Sequence, residues 1–284
     1  MNTSLKTTIR ATIAVFGFAI TSGSVQASVF DHADQMFAQR ENNSQNVAAA
    51  RSEYLSLMTS VTGADLGYAV QQIGRLAVYE GTYLISDDTA NNAHKAQIFD
   101  QCRTTAARIS GQPPLLTIYS YWRLACSALW IRYATGTERL TKLGEVKQEF
   151  DDLVDDQLNI RADRAVDLRY EGGGINRVLA GIFGDPLSAL IRRGLPNGAK
   201  ALDMANQALS ARAYPGDPNQ ATDYYSNHRY KAVALRSSLR SADALTELSS
   251  AISEIEERDH DGDMPQGIEP ETRGELVLLR GLNH

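Results

Sequence analysis

The chain has 284 residues, with 28 basic against 34 acidic side chains, a formal net charge of −6 and a 43% hydrophobic fraction that can build a sizeable core. An acidic chain without basic clusters is a poor candidate for binding nucleic acid, and none is expected as a partner, because that affinity rests on neutralising phosphates. Only 8 prolines, together with alanine-rich segments at helical spacing, favour an all-α chain over a β sandwich.

The N-terminus reads as an address. Lys6 and Arg10 form a basic region, Ala11 to Ile20 is an apolar run, and Val25-Gln26-Ala27 is a small-x-small cleavage site before Ser28. This pattern predicts a secretory signal over residues 1–27 and a mature, single all-helical domain over 28–284, periplasmic or secreted. Cleavage removes two positive charges and no acid, making the chain more acidic still. The apolar run is too short to span a bilayer, and no later stretch approaches the ~20 apolar residues that a membrane helix needs. Neither cysteine lies near the cleavage point, so no lipid-attachment cysteine is expected there.

Val29 to Gln39 predicts a short helix, broken at Asn42-Asn43-Ser44. Val47, Ala50, Tyr54, Leu57 and Met58 form the apolar face of a second. A longer helix is expected over Ala64 to Ile85, where Gly67, Ala69, Gly74 and Ala77 let a neighbour approach closely. Ser86-Asp87-Asp88-Thr89 then supplies N-cap candidates.

The stretch Ile98 to Ala134 carries the two cysteines, Cys102 and Cys126. Two apolar helical patterns meet at Gly111-Gln112-Pro113-Pro114, and the cysteines are equidistant from Pro114. Residues equidistant from the turn of an antiparallel hairpin lie opposite one another, which is what a disulfide requires. Ile98, Cys102, Ala106 and Ile109 share one face; Leu115, Ile118, Tyr119, Trp122, Cys126, Leu129 and Tyr133 share the other. A stapled helical hairpin is therefore expected.

Arg139 to Leu158 resumes helical character, with Leu140, Leu143, Val146, Phe150, Leu153 and Val154 inward. Its outer face gathers Glu149, Asp151, Asp152, Asp155 and Asp156, as a solvated face or, alternatively, a cation site. Tyr170-Glu171-Gly172-Gly173-Gly174 precedes another helix opening at Ile175. Gly172, Gly173, Gly174 and Arg177 are read as a backbone turn or, alternatively, an anion site at a helix N-terminus. Neither the dinucleotide fingerprint nor the phosphate loop is matched. Beyond it, helices are expected over Asn197 to Arg212, Gln220 to Leu239 and Ala242 to Glu257, the last with Leu245, Leu248, Ile252 and Ile255 inward. Their pitch of about 35–40 residues predicts stacked antiparallel hairpins in the manner of an α-solenoid or tetratricopeptide-like array.

No cofactor motif is found. The five histidines stand apart, without metal-binding spacing, and neither a nucleophile elbow nor a distinguishable carboxylate dyad appears. One stretch imitates a calcium loop. Glu257, Asp259, Asp261 and Asp263 alternate, followed by Glu269, although that acid arrives one place later than the pattern demands. The alternative is an acidic interhelical loop.

The segment around the glycine triplet resembles the tetratricopeptide-like T-component proteins of tripartite ATP-independent periplasmic (TRAP) transporters. The resemblance is carried by Leu129-Trp130, Gly172-Gly173-Gly174-Ile175-Asn176-Arg177-Val178-Leu179, Phe183, the Ala201 to Leu209 helix, Pro215-Gly216-Asp217-Pro218 and Tyr224-Tyr225. It implies an all-helical periplasmic scaffold that partners a substrate-binding protein and can form homo-oligomers. The expected function is thus a non-catalytic protein- or ligand-binding module, with Tyr119, Trp122, Tyr224 and Tyr225 as aromatic anchors wherever they are exposed. A periplasmic hydrolase whose site assembles only in three dimensions, or a calcium-stabilised structural protein, is the alternative.

Overall fold

A computed structural model describes residues 29–41, 44–211, 224–264 and 268–283. The signal read in residues 1–27 and the Pro215–Pro218 loop lie outside the described residues. Among those described, eleven α-helices follow one another: α1 (Asp31–Ala38), α2 (Ser44–Leu57), α3 (Gly63–Tyr79), α4 (Asn92–Ala107), α5 (Leu116–Tyr133), α6 (Gly136–Leu153), α7 (Gly174–Gly184), α8 (Gly198–Ser210), α9 (Ser226–Ser237), α10 (Ser241–Asp261) and α11 (Glu269–Leu282). The β pairing among these residues is one isolated antiparallel bridge, Val154 with Ile160. Consecutive helices pack on each other from α1 to α6 and again from α7 to α11, while α7 returns to pack on α5. The fold is therefore the expected all-α arrangement of helical hairpins.

The α4/α5 hairpin is its centre. Pro113 and Pro114 lack the N–H groups needed to continue a helix, so they begin a short 3-10 turn from which α5 starts. Cys102 and Cys126 are disulfide-bonded, with Cα atoms 5.9 Å apart, and Ile98, Ala106, Ile109, Trp122 and Trp130 are buried with them. Helix α3 lies against α5 because its glycines leave room. A Cβ at Gly74 would sit 2.3 Å from the Trp122 ring, and one at Gly67 would sit 2.7 Å from Leu115.

Several local expectations are corrected. The long helix from Ala64 ends as α-helix at Tyr79 and continues as a π-helical turn, Glu80–Leu84, which brings Gly81 against Phe99. Helix α6 stops at Leu153, not Leu158, because Val154 turns extended and the Asp155 side chain accepts hydrogen bonds from the Gln157 and Asn159 N–H groups. Glu149 is not on an outer face: Ser127 donates to it and Arg103 and Arg123 pair with it, drawing α6 onto the hairpin. Leu140 is 69% exposed, since α6 has α5 as its main neighbour and buries only Val146, Phe150 and Leu153. Leu245 is 42% exposed on α10. Of the other acids read on that face, Asp151 and Asp156 pair with Arg192, and Asp152 pairs with Arg164.

The first core cluster runs from Phe30 to Ala234, and a second joins Tyr225 to α9, α10 and α11. Helix α11 then carries the chain back to its beginning. Arg40 donates through Nε and Nη2 to the two carboxylate oxygens of Glu271 at 3.0 and 2.6 Å, Arg273 pairs with Glu41 at 2.7 Å, and the Tyr83 ring packs on Gly274. The helices thus close into a ring.

The double variant Cys102→Ser/Cys126→Ser is expected to lose about 3 kcal/mol of stability in the chain-entropy account, measured as the shift in urea midpoint against the oxidised protein. Gly74→Ala should cost about 1–3 kcal/mol by overpacking against Trp122, with the same readout.

Candidate functional site

The ring encloses a cavity of about 370 Å³, walled by α3, α5, α7, α9 and α11 and lined chiefly by apolar and aromatic side chains. Trp122 and Tyr121 of α5 meet edge to face at 4.6 Å, and Val178 and Ile182 of α7 continue that wall.

Its polar corner is made by the glycine-rich turn. Glu171, Gly172 and Gly173 all have positive φ, at 51°, 55° and 80°. For Glu171 this left-handed conformation costs about 1–2 kcal/mol, and the surroundings hold it. The Glu171 carboxylate accepts hydrogen bonds from Gln71 Nε2 at 2.9 Å, Arg75 Nε at 2.9 Å and the Tyr224 hydroxyl at 3.0 Å. Glycine is needed at 172 and 173 for space as well as φ: a Cβ there would meet the Tyr224 ring at 2.2 Å and the Ala208 carbonyl at 2.7 Å.

Arg177, one turn into α7, reaches back over the same turn. Its Nη1 donates to Asn227 Oδ1 at 2.9 Å and to the Gly172 carbonyl at 3.4 Å; its Nη2 donates to the Glu171 carbonyl at 3.0 Å and the Tyr121 hydroxyl at 3.2 Å. Gly172, Gly173, Gly174 and Arg177 are thus brought together as a clamped turn. The backbone does not form an open anion cradle, since the Gly173 and Gly174 N–H groups donate to the Arg169 and Tyr170 carbonyls. The carboxylate held at this turn is the chain's own Glu171.

A second ion pair, Arg229 with Glu275, faces the cavity from α9 and α11, and the Tyr83 hydroxyl donates to Glu275 at 3.0 Å. Burial pushes the Tyr83 and Tyr170 hydroxyls well above the usual tyrosine range, reinforced by the neighbouring carboxylates of Glu275 and Glu171. Burial also raises Tyr121, with Arg177 opposing it. Burial works against the charge of Arg75, but Glu171 outweighs it and holds the guanidinium more firmly protonated than usual. The cavity therefore presents neutral phenols and two charge pairs within an apolar wall.

The calcium-loop acids are not assembled as read. Glu257, Asp259 and Asp261 stand on α10, where steps of two place successive side chains about 200° apart. Asp259 pairs with Arg273, Gly262 closes the helix in the left-handed region, Asp263 follows that cap, and Glu269 opens α11. Among the described residues, no group of three or more His, Cys, Asp or Glu side chains is placed to hold a metal ion. Of the aromatic anchors, Trp122 and Tyr225 are buried and line the cavity together with Tyr224, while Tyr119 lines a small separate depression beside Arg123. Arg75, Glu171, Tyr83, Arg229 and Glu275 were not singled out in the sequence. The acid beside three glycines was the only signal that pointed to any of them.

No protein-family model, curated protein or solved structure matches the chain.

Glu171→Gln should destabilise the fold by about 3–5 kcal/mol, because it leaves the Arg75 charge without its partner; chemical denaturation measures it. The folded state holds tyrosine protons that the unfolded chain releases from roughly pH 10 upward, so stability should fall as pH rises above that point. Thermal midpoints from pH 8 to about 12 check this, and Tyr83→Phe should make the decline shallower.

Proposed function

We propose that this chain is an exported, non-catalytic binding module that takes a small molecule into its ring cavity and serves, beside a periplasmic substrate-binding protein, a transporter of the TRAP class. The cavity carries this reading. Its volume of about 370 Å³ falls within the roughly 300–1,000 Å³ typical of small-ligand sites. Its composition, an apolar wall with a few convergent polar groups, is what such sites share.

The chemistry of the lining favours holding over bond-making. Glu171, Glu271 and Glu275 are each engaged by an arginine, which disfavours proton exchange, and neither histidine nor cysteine lines the cavity among the described residues. Export is supported by the signal pattern of residues 1–27 and by the Cys102–Cys126 disulfide, since such bonds persist in oxidising compartments. Among the described residues no helix is long and apolar enough to cross a membrane. The link to a transporter rests on the family resemblance around the glycine triplet.

Protein purified from periplasm without denaturation should carry a small-molecule adduct in native mass spectrometry. Ala128→Trp, which fills the cavity from α5, should lose that adduct while keeping the helical circular dichroism. A wild-type protein without adduct, whose thermal midpoint is unmoved by a periplasmic small-molecule extract, would count against the cavity as a binding site.

A further inference from the structure

Helix α11 is joined to the rest of the ring by two unlike edges. Its buried Leu276 and Leu279 belong to the second core, together with Leu235 of α9 and Leu248 and Ile255 of α10. Arg280 adds an exposed ion pair to Glu256 of α10 at 2.6 Å. The other edge meets the beginning of the chain and the π-helical turn through charge and hydrogen bonding: Glu271 with Arg40, Arg273 with Glu41, and the Tyr83 hydroxyl on Glu275 at 3.0 Å. Among the described residues, the first core contains no residue of α11.

Gly274 sits at this polar edge. A glycine inside a helix weakens it, because it loses more backbone freedom on ordering than alanine does. Here the missing Cβ lets the Tyr83 ring lie on the helix. A Cβ at 274 would fall 2.6 Å from Cδ1 and 2.7 Å from Cγ of Tyr83, near the ring's attachment to the backbone, where it is hard to displace. The cavity lies directly behind: Phe37, Tyr79 and Tyr83 line it from one side of the edge, and Glu271, Thr272 and Glu275 from the other. Salt screens ion pairs but does not weaken apolar packing, so this is the edge of α11 that yields first.

We propose that α11 is a gate. It swings on α9 and α10, parts from Arg40, Glu41 and Tyr83 to give solutes a way into the cavity, and reseats as Tyr83 closes on Gly274. Arg229 of α9 lies on the α11 side, so the Glu275 carboxylate stays paired when Tyr83 leaves it. The inference concerns the route inward and holds whatever the cavity contains.

A thiol on the cavity wall reports the opening. Ala128→Cys, with Val78→Cys as a second reporter, is alkylated by iodoacetamide in the intact, oxidised protein well below its melting temperature, and mass spectrometry follows the rate. Glu41→Gln removes a partner of α11 across the gate, whereas Glu256→Gln removes one of similar exposure on α10. The first should speed alkylation about threefold and the second leave it within about twofold. Gly274→Ala favours the helix yet denies Tyr83 its seat, so it should speed alkylation about fivefold or more. Raising KCl from about 0.05 to about 0.5 M should also speed it, and less so with Glu41→Gln. Gly274→Ala slowing alkylation or leaving it unchanged, equal effects of Glu41→Gln and Glu256→Gln, or reporter thiols that never react would each overturn the gate. None of these outcomes bears on whether the cavity holds a ligand.

Discussion

The carboxylate of Glu171 is the constraint on which the cavity's geometry depends. Buried at the crossing of α3, α5 and α7, a carboxylate without partners would be costly, and amide, guanidinium and hydroxyl donors from Gln71, Arg75 and Tyr224 are directed at it. That requirement fixes the rotation of α3, places Tyr224 at the entry to α9, and holds the backbone at 171 in a left-handed conformation that an L residue rarely adopts. Arg177 secures the same turn from the opposite side through backbone carbonyls. One side chain thus ties three segments that are distant in sequence, and the cavity opens beside it.

Around that corner the frame is apolar and simple. The disulfide-linked α4/α5 pair gives α5 neighbours on nearly every side: α4, α3, α6 and α7. Such a central helix cannot show one clean apolar stripe, and α5 buries Ser127 along with Trp122, Cys126 and Trp130. The Ser127 hydroxyl remains satisfied by Glu149, within a network that also contains Arg103 and Arg123. Polar groups on the back of the hairpin therefore hold α6, while its front faces the cavity.

This division explains what could be read in the sequence. The hairpin was legible because its signals are local: two prolines at the turn, cysteines equidistant from it, and apolar residues at helical spacing. The glycine turn was legible as a turn, since Gly172 and Gly173 need both positive φ and an absent Cβ. The role of Glu171 was not, because its partners lie about a hundred positions earlier on α3 and some fifty later at Tyr224. Misreadings arose where periodicity omits the neighbour. Leu140 has the spacing of a core residue but no helix over it, and Glu149 has the spacing of a surface acid but two arginines waiting on α4 and α5. The acids of the calcium-like stretch are separated by capping: Gly262 is the left-handed end of α10, so Glu257, Asp259 and Asp261 stand on the helix and Asp263 beyond it.

The joining of Arg40 to Glu271 and of Arg273 to Glu41 has a consequence for biogenesis. The contacts that shut the ring lie in α11, after the other ten described helices in sequence, so those ten can form a frame before it has an interior. The fourteen-residue α11 supplies Glu271, Thr272 and Glu275 to the cavity lining, so the tyrosine-lined inner face lacks one of its walls without it. The docking of α11, more than the formation of any single hairpin, is what gives the described fold an inside.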